Sequence, residues 1–347
     1  MSGKSTFLRV IAGLEDITEG QVFIDGKDVS DLDSRERDVA LVFRNDNLNN
    51  SNTVFDNLAY GLTIRKAPQT LIEERVKAVA NILGLTEVLS RKPKTLTAAI
   101  RQRVALGRAM VREPKLYLFD EPLSGLDDKL RVETLGLIAN VQARMESAFI
   151  YATKNVAEAM AIATRIVVLN DGQVQQIDTP ANLYDYPANE YVALSTGSPT
   201  MSFIAKCKIE QLDGTYVAVN GNLRFPLPEN IVARFENIQE YAGTGKEVVL
   251  GIRPEDAKLI KGGAYKATFD KALNGETPYA MCELEGGIYV TVGGQSNLLK
   301  GDKCELDIDL THLYLFDAKT SLTLLKRDGG YKNTGFADAD FTPLPKN

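Results

Sequence analysis

Residues 115–129 read KLYLFDEPLSGLDDK, and the fold turns on them. Leu116 to Phe119 is a continuous apolar run rather than an alternating one, as a strand buried on both faces requires. It stops on two adjacent carboxylates, Asp120 and Glu121. In open α/β sheets the carboxyl edge of such a strand is where ligands are held. Pro122 ends the strand, and Ser124, Gly125 and Asp127 make a polar turn before the helical pattern LRVETLGLIANVQARM at 130–145. Taken alone, the stretch also fits a buried strand followed by two solvated acids.

The amino-terminal residues decide between these readings. The chain opens MSGKSTFLRVIAGL, and Gly3, Lys4, Ser5 and Thr6 spell the second half of a phosphate-binding loop running into an apolar helical pattern. In such loops backbone N–H groups and the helix amino terminus hold phosphates, the Lys reaches the outer phosphates and the Ser binds Mg²⁺. Asp120 and Glu121 supply what that loop lacks: an acid for the metal and a carboxylate that orients or deprotonates water.

The order of motifs resembles that of the ATP-binding subunit of bacterial carbohydrate ABC importers of the maltose and glycerol-phosphate type. IAGLEDITEGQVFIDGKDV (11–29), RERDVALVFRN (35–45), RQRVALGRAMVREPKLYLFDEPLSGLD (101–127) and the segment 163–199 all follow the family's sequence of elements. The resemblance implies an α/β fold, with a P-loop ABC ATPase domain (mixed sheet plus helical subdomain) over 1–199. An all-β, oligonucleotide-fold regulatory domain follows over 200–327, and a disordered tail over 328–347. It implies ATP and Mg²⁺ as cofactors, with Gly3, Lys4, Ser5 and Thr6 on the nucleotide, Ser5 and Asp120 on the metal and Glu121 as catalytic base. Ser124 and Asp127 fall in the family's dimer-contact loop. The implied partners are two membrane-spanning permease subunits, a substrate-binding protein, and a second copy or a second ATPase. The implied location is the cytoplasmic face of the membrane.

Composition agrees with that assignment. A chain of 347 residues exceeds one ordinary core and predicts two domains. Hydrophobic content of 44% and charged content of 25% are those of a globular protein. A net charge of −6 gives no reason to expect nucleic acid as a direct partner. Cys207, Cys282 and Cys304 lack ligand spacing, which argues against a zinc site or a disulfide framework. No apolar run approaches 18 residues, so any membrane role comes through a partner.

Several positions depart from the family pattern. Where the family carries a metal- and water-contacting Gln, this chain has Arg44, which has no acceptor; it is either a phosphate partner or a solvated side chain at a strand end. The signature normally read LSGGQ is here Leu96, Thr97, Ala98, Ala99 and Ile100. Thr97 can still cap a helix, whereas Ala98 and Ala99 add Cβ atoms where backbone should approach phosphate, and Ile100 removes an amide. Lys154 replaces the family's switch histidine and cannot accept a proton. The segment before Thr53 carries Asp46, Asn47, Asn49, Asn50, Ser51 and Asn52 where the family lines a docking cleft with apolar groups. The single histidine, His312, reads as structural because no clustered acid accompanies it.

The first half of the loop and its strand are missing ahead of Met1, which reads as a misassigned start or the edge of a fragment. With that strand absent, the strand ending in Asp120 is expected to present an unpaired edge. Further expectations are a hairpin about Asp25 and Gly26, a strand at 38–43, helical spacing over 71–85, and a strand at 147–154. A Gly-punctuated β barrel is expected after Pro199, with strands at 216–219, 246–252, 287–292 and 303–309. Three functional readings follow: an ATP-hydrolysing subunit with impaired turnover, a degenerate partner of a competent ATPase, or an incomplete gene product.

Overall fold

The computed structural model describes residues 2–44, 47–143, 145, 147–273, 278–294 and 297–327. The chain forms two compact units, Met1–Ile162 and Ala163–Asn347.

The first unit runs α1 (Lys4–Ala12), β1 (Phe23–Ile24), β2 (Lys27–Asp28), β3 (Val39–Val42), α2 (Val54–Ile64), α3 (Gln69–Ile82), α4 (Ala98–Met110), β4 (Leu116–Asp120), α5 (Asp128–Gln142), β5 (Ala148–Ala152) and α6 (Val156–Ile162). The β1–β2 hairpin closes on Asp25 and Gly26, both at positive φ, as the two-residue turn demands. Strands β3, β4 and β5 form a parallel sheet with β4 in the middle. The expected unpaired edge on β4 is therefore corrected: β3 pairs with Leu116–Phe119 on one side and β5 with Leu116–Asp120 on the other. Residue pattern alone does not order three parallel strands, because order is a tertiary property.

Side chains of β4 alternate between two cores, as strand geometry dictates. Tyr117 and Phe119 join the larger cluster with α2, α3 and α4, and Leu116 and Leu118 pack with Leu8, Ile11 and Ala12 of α1. Tyr117 and Phe119 lie with ring centroids 4.7 and 5.6 Å from that of Phe149 on β5. Burying each such side chain contributes roughly 1.5–3 kcal/mol, so β4 anchors both layers. Helix α2 starts at a capping box in which Thr53 and Asp56 exchange bonds. Thr97 caps α4 through its hydroxyl, as expected.

The second unit contains β6 (Ile166–Asn170), β7 (Gln173–Asp178), α7 (Pro180–Asp185), α8 (Glu190–Ser195), β8 (Ser202–Leu212), β9 (Thr215–Asn220), β10 (Leu223–Leu227), α9 (Glu229–Val232), β11 (Glu247–Ile252), β12 (Ala257–Leu259), β13 (Tyr265–Leu273), β14 (Tyr279–Leu284), β15 (Ile288–Gly293), β16 (Lys303–Ile308) and β17 (Tyr314–Asp317). Strands β12-β15-β14-β13-β16 close a barrel, and β10-β9-β8-β11-β17 form a second sheet, with one continuous core across both. The expected strands correspond to β9, β11, β15 and β16. Residues 163–199 pack inside this unit. The reason is visible at Arg253, which is 1% exposed, donates to the carbonyls of Tyr184 and Ala193, and lies 3.8 Å from the Tyr184 ring. The tail 328–347 and Asp46 lie outside the described residues.

Helices α2, α3 and α4 meet at Gly107, where an added Cβ would fall 2.7 Å from Leu58, 3.0 Å from Leu83 and 3.2 Å from Val79. Gly107→Val is expected to lower the stability of the chain by about 1–3 kcal/mol through overpacking, measured as a shift in the denaturation midpoint at unchanged slope.

Candidate nucleotide site

Parallel strands deliver their ends to one edge, and the register states which residues meet there. Val42 pairs with Phe119 and Asp120 pairs with Ala152. The Glu121 amide continues the ladder by donating to the Ala152 carbonyl at 2.9 Å. Arg44 and Lys154 each stand two residues beyond the last paired position of the strands flanking β4. They consequently bracket Glu121, with Lys154 Nζ 3.0 Å from Oε1 and Arg44 Nη1 3.7 Å from Oε2. Glu121 adopts φ 47°, a left-handed conformation that costs a non-glycine residue about 1 kcal/mol or more.

Helix α1 brings the phosphate-loop residues to the same edge. Gly3 is its N-cap at φ 83°, where glycine alone is unstrained, and the Gly3 carbonyl accepts from the Phe7 amide. Ser5 Oγ donates to Asp120 Oδ1 at 2.9 Å across 115 residues of sequence. A hydroxyl and a carboxylate side by side are hard oxygen donors of the kind Mg²⁺ takes, so these residues fit that ion. Lys4 Nζ donates to Ser2 Oγ at 2.7 Å. Burial pushes the Lys4 ammonium down, Glu121 and Asp120 oppose that shift, and Lys154 adds to it. Thr6 follows on the exposed side of the helix.

A set of supporting residues escaped the sequence reading. Glu158 is 4% exposed and accepts from Thr153 Oγ1 at 2.7 Å and from Tyr151 OH at 3.0 Å. The Asn155 amide donates to Thr153 Oγ1, Asn155 Oδ1 accepts from the Glu158 amide, and Arg131 Nε lies 3.5 Å from Glu158. The backbone on both sides of Lys154 is thereby pinned. The signal was present as an acid four residues past the lysine, on a short apolar helix.

The remaining predicted positions sit apart from Glu121 in role. Asp127 caps α5 by accepting from the Leu130 amide, and the Ser124 amide donates to the Glu121 carbonyl. Ala98 is exposed, while Ala99 is buried and Ile100 packs against the core beside it. Thr97 lies at φ −68°, so the tip asks for no left-handed residue. In the polar segment, Asn49 exchanges bonds with the buried Asn57, Arg108 donates to the Asn47 carbonyl, and Leu48 turns into the core.

Comparison with known proteins now bears on the whole chain. The ABC transporter family model matches residues 2–124 and the MalK OB fold domain model matches residues 197–257. The chain is 42% identical over 326 residues to the uncharacterized ABC transporter ATP-binding protein YurJ of Bacillus subtilis, covering 92% of this chain and 88% of that one. This chain belongs to the ABC transporter ATP-binding proteins. Among other members, it is 40% identical to the oligosaccharides import ATP-binding protein MsmX of Bacillus subtilis (93% and 88% covered). It is 39% identical to the sn-glycerol-3-phosphate import ATP-binding protein UgpC of Psychromonas ingrahamii (92% and 84% covered). The solved structure of cbiO1 from Clostridium perfringens, part of the ABC transporter complex cbiONQ, shares the fold at TM-score 0.50 and 23% identity over 53% of this chain and 76% of that one. The ABC ATPase fold followed by an all-β, MalK-type OB domain is thus as expected from sequence. No helix among the described residues is long and apolar enough to cross a membrane.

A second polar cluster corrects the reading of His312. Its Nδ1 lies 3.3 Å from Asp256 and 3.3 Å from Asp309, so clustered acids do accompany it. The Ala257–Ile308 pairing of β12 and β16 brings the two acids side by side, which no local pattern reveals. The three groups could offer ligand atoms within 4.8 Å of one another, an arrangement that contacts between the imidazole and the two carboxyl groups already account for. Burial pushes the Asp256 carboxyl up to about 6, with His312 opposing and Glu255 and Asp309 adding. The folded state then holds a proton that the unfolded chain releases near its ordinary value. This contribution to stability is full below about pH 4 and is lost as pH rises through about 6. Asp256→Asn is expected to remove that fall, read from denaturation midpoints between pH 4 and 7.

Proposed function

We propose that this chain is the nucleotide-binding subunit of a carbohydrate ABC importer, and that it binds ATP but turns it over slowly. Gly3, Lys4, Ser5 and Thr6 hold the phosphates in this reading, with Ser5 and Asp120 facing Mg²⁺, which when bound supplies charge neutralisation. Residues 1–199 form its nucleotide-binding part and 200–327 its regulatory part. The import names of the similar MsmX and UgpC proteins support the carbohydrate class. Two permease subunits, a substrate-binding protein and a second ATPase chain complete the assembly at the cytoplasmic face of the membrane. Ser124 and Asp127 lie toward the second ATPase chain.

The observation that carries slow turnover is the bracketing of Glu121 by Lys154 and Arg44. A base must present a free oxygen to water, and here each oxygen faces a cation. Neither cation can accept a proton or a water hydrogen. Losing one water-positioning or charge-stabilising group costs typically about 10²–10³ in rate. The apolar tip formed by Ala98, Ala99 and Ile100 favours, within the same reading, pairing with an ATPase whose own signature is intact.

The purified full-length chain is expected to hydrolyse ATP within about tenfold of its Glu121→Gln variant, a difference of about 1.4 kcal/mol or less in barrier. Turnover far above that background, abolished by Glu121→Gln, would refute slow turnover. Pull-down with its neighbouring permease subunits, with sugar uptake as the readout, checks the transport assignment.

A further inference from the structure

We propose that the second unit carries a binding pocket for a small organic anion, a carboxylate on an apolar body, at the place where β12 leaves β16. None of its residues belongs to the nucleotide site, and it does not depend on the function proposed above.

The fold makes the hollow. Strand β16 pairs with β12 through Leu306 to Ile308 and with β13 through Lys303 to Leu306. Beside Lys303 and Cys304 its β12 side therefore has no paired strand among the described residues. The Ile260 amide still donates to the Glu305 carbonyl, and the chain then turns at Gly262. It crosses β16 at Gly263, where an added Cβ would fall 2.5 Å from the Leu306 carbonyl oxygen. What remains is a hollow of about 630 Å³, within the roughly 300–1,000 Å³ of sites that hold small molecules. Leu259, Leu298 and Cys304 line it, partly buried against the barrel core, and Ile260 adds an exposed apolar side chain.

Three exposed cations, Lys261, Lys266 and Lys303, line the same hollow. Glu305 is the one acid among its lining residues, and the Gly262 amide already engages that carboxylate at 2.6 Å. Register sets Lys266 opposite Glu305, yet neither the Lys266 nor the Lys261 ammonium has a hydrogen bond or ion pair among the described residues. Lys303 donates to Thr268 Oγ1 at 2.9 Å. Burial pushes the Cys304 thiol up, and the bond to Cys282 and the Lys303 charge oppose that, so the third cation acts on the thiol at the hollow. A chain of net charge −6 thus gathers three lysines against one glutamate around apolar walls.

The ligand class follows from both features. Unpartnered ammonium groups favour an anion, and as point charges they ask for no bidentate geometry. Apolar walls favour a body that gives up water, at about 0.8 kcal/mol for each buried CH₂. The side chains of Leu259, Ile260 and Leu298 offer no hydrogen bond to sugar hydroxyls, which would lose water without a partner. A sugar phosphate suits the lysines but not the walls, whereas a carboxylate on a hydrocarbon or aromatic body suits both.

Octanoate is the probe. Calorimetry on the full-length chain is expected to show octanoate binding with a dissociation constant below about 1 mM, and octanol and inorganic phosphate each binding at least about fivefold more weakly. Lys261→Ala combined with Lys266→Ala should weaken octanoate by about tenfold or more at unchanged melting, because both side chains are exposed. Cys304 gives a second readout. Cys207 and Cys282 are buried, so N-ethylmaleimide should label Cys304 first, and saturating octanoate should slow that labelling by about fivefold or more. Should the double variant melt earlier, protection of Cys304 in the unaltered chain decides. No octanoate binding to the folded chain, binding that a normally melting double variant leaves unaltered, or unprotected Cys304 overturns the proposal. Octanol or inorganic phosphate bound as tightly as octanoate overturns the ligand class and the proposal with it.

Discussion

The parallel ladder that holds β4 between β3 and β5 governs the nucleotide end of this protein. β4 is paired on both edges, and the side chains of α2–α4 and of α1 cover its two faces, so its carboxyl end is held in place. Because the strands are parallel, the residues after each of them emerge at one edge. Arg44, Glu121 and Lys154 are neighbours for that reason alone, although 110 positions separate the first from the last. Helix α1 packs on one face of the same sheet and so carries Ser5 to Asp120.

That edge combines two kinds of chemistry. The Ser5–Asp120 pair is a hard-oxygen arrangement suited to a divalent ion, while the Arg44–Glu121–Lys154 arrangement places cations where water would otherwise approach the carboxylate. In the function proposed here, a site of this composition holds polyphosphate better than it activates water. Stabilising bound charge needs only positive groups nearby, whereas hydrolysis also needs a group that can receive a proton. Exposed ion pairs contribute little to folding, typically about 0–1 kcal/mol, so fold stability places little demand on Arg44 and Lys154.

The second unit is organised by different means. A closed barrel and a five-stranded sheet share one core, and the buried Arg253 fastens the segment of α7 and α8 to it through backbone carbonyls and the Tyr184 ring. A guanidinium so deep is tolerable because its charge is met by carbonyl dipoles and an aromatic face. The same unit holds Asp256, Asp309 and His312, a polar cluster in which the pairing of β12 with β16 brings Asp256 to the local Asp309–His312 pair.

Local patterns made much of this legible. The unbroken apolar run of β4, the turn at Asp25–Gly26, the Thr97 cap and the glycine-separated strands of the barrel are short-range features, written in neighbouring residues and read from them. The motif order from Gly3 to Pro199 likewise sufficed to identify the family, because it records which residue types stand where. What the sequence could not determine is adjacency. That β4 has partners on both sides, that Asp256 joins the Asp309–His312 pair, and that both cations face Glu121 are consequences of strand order and register. Those are settled by long-range packing, where the free energy of burying two faces of a sheet outweighs any local preference.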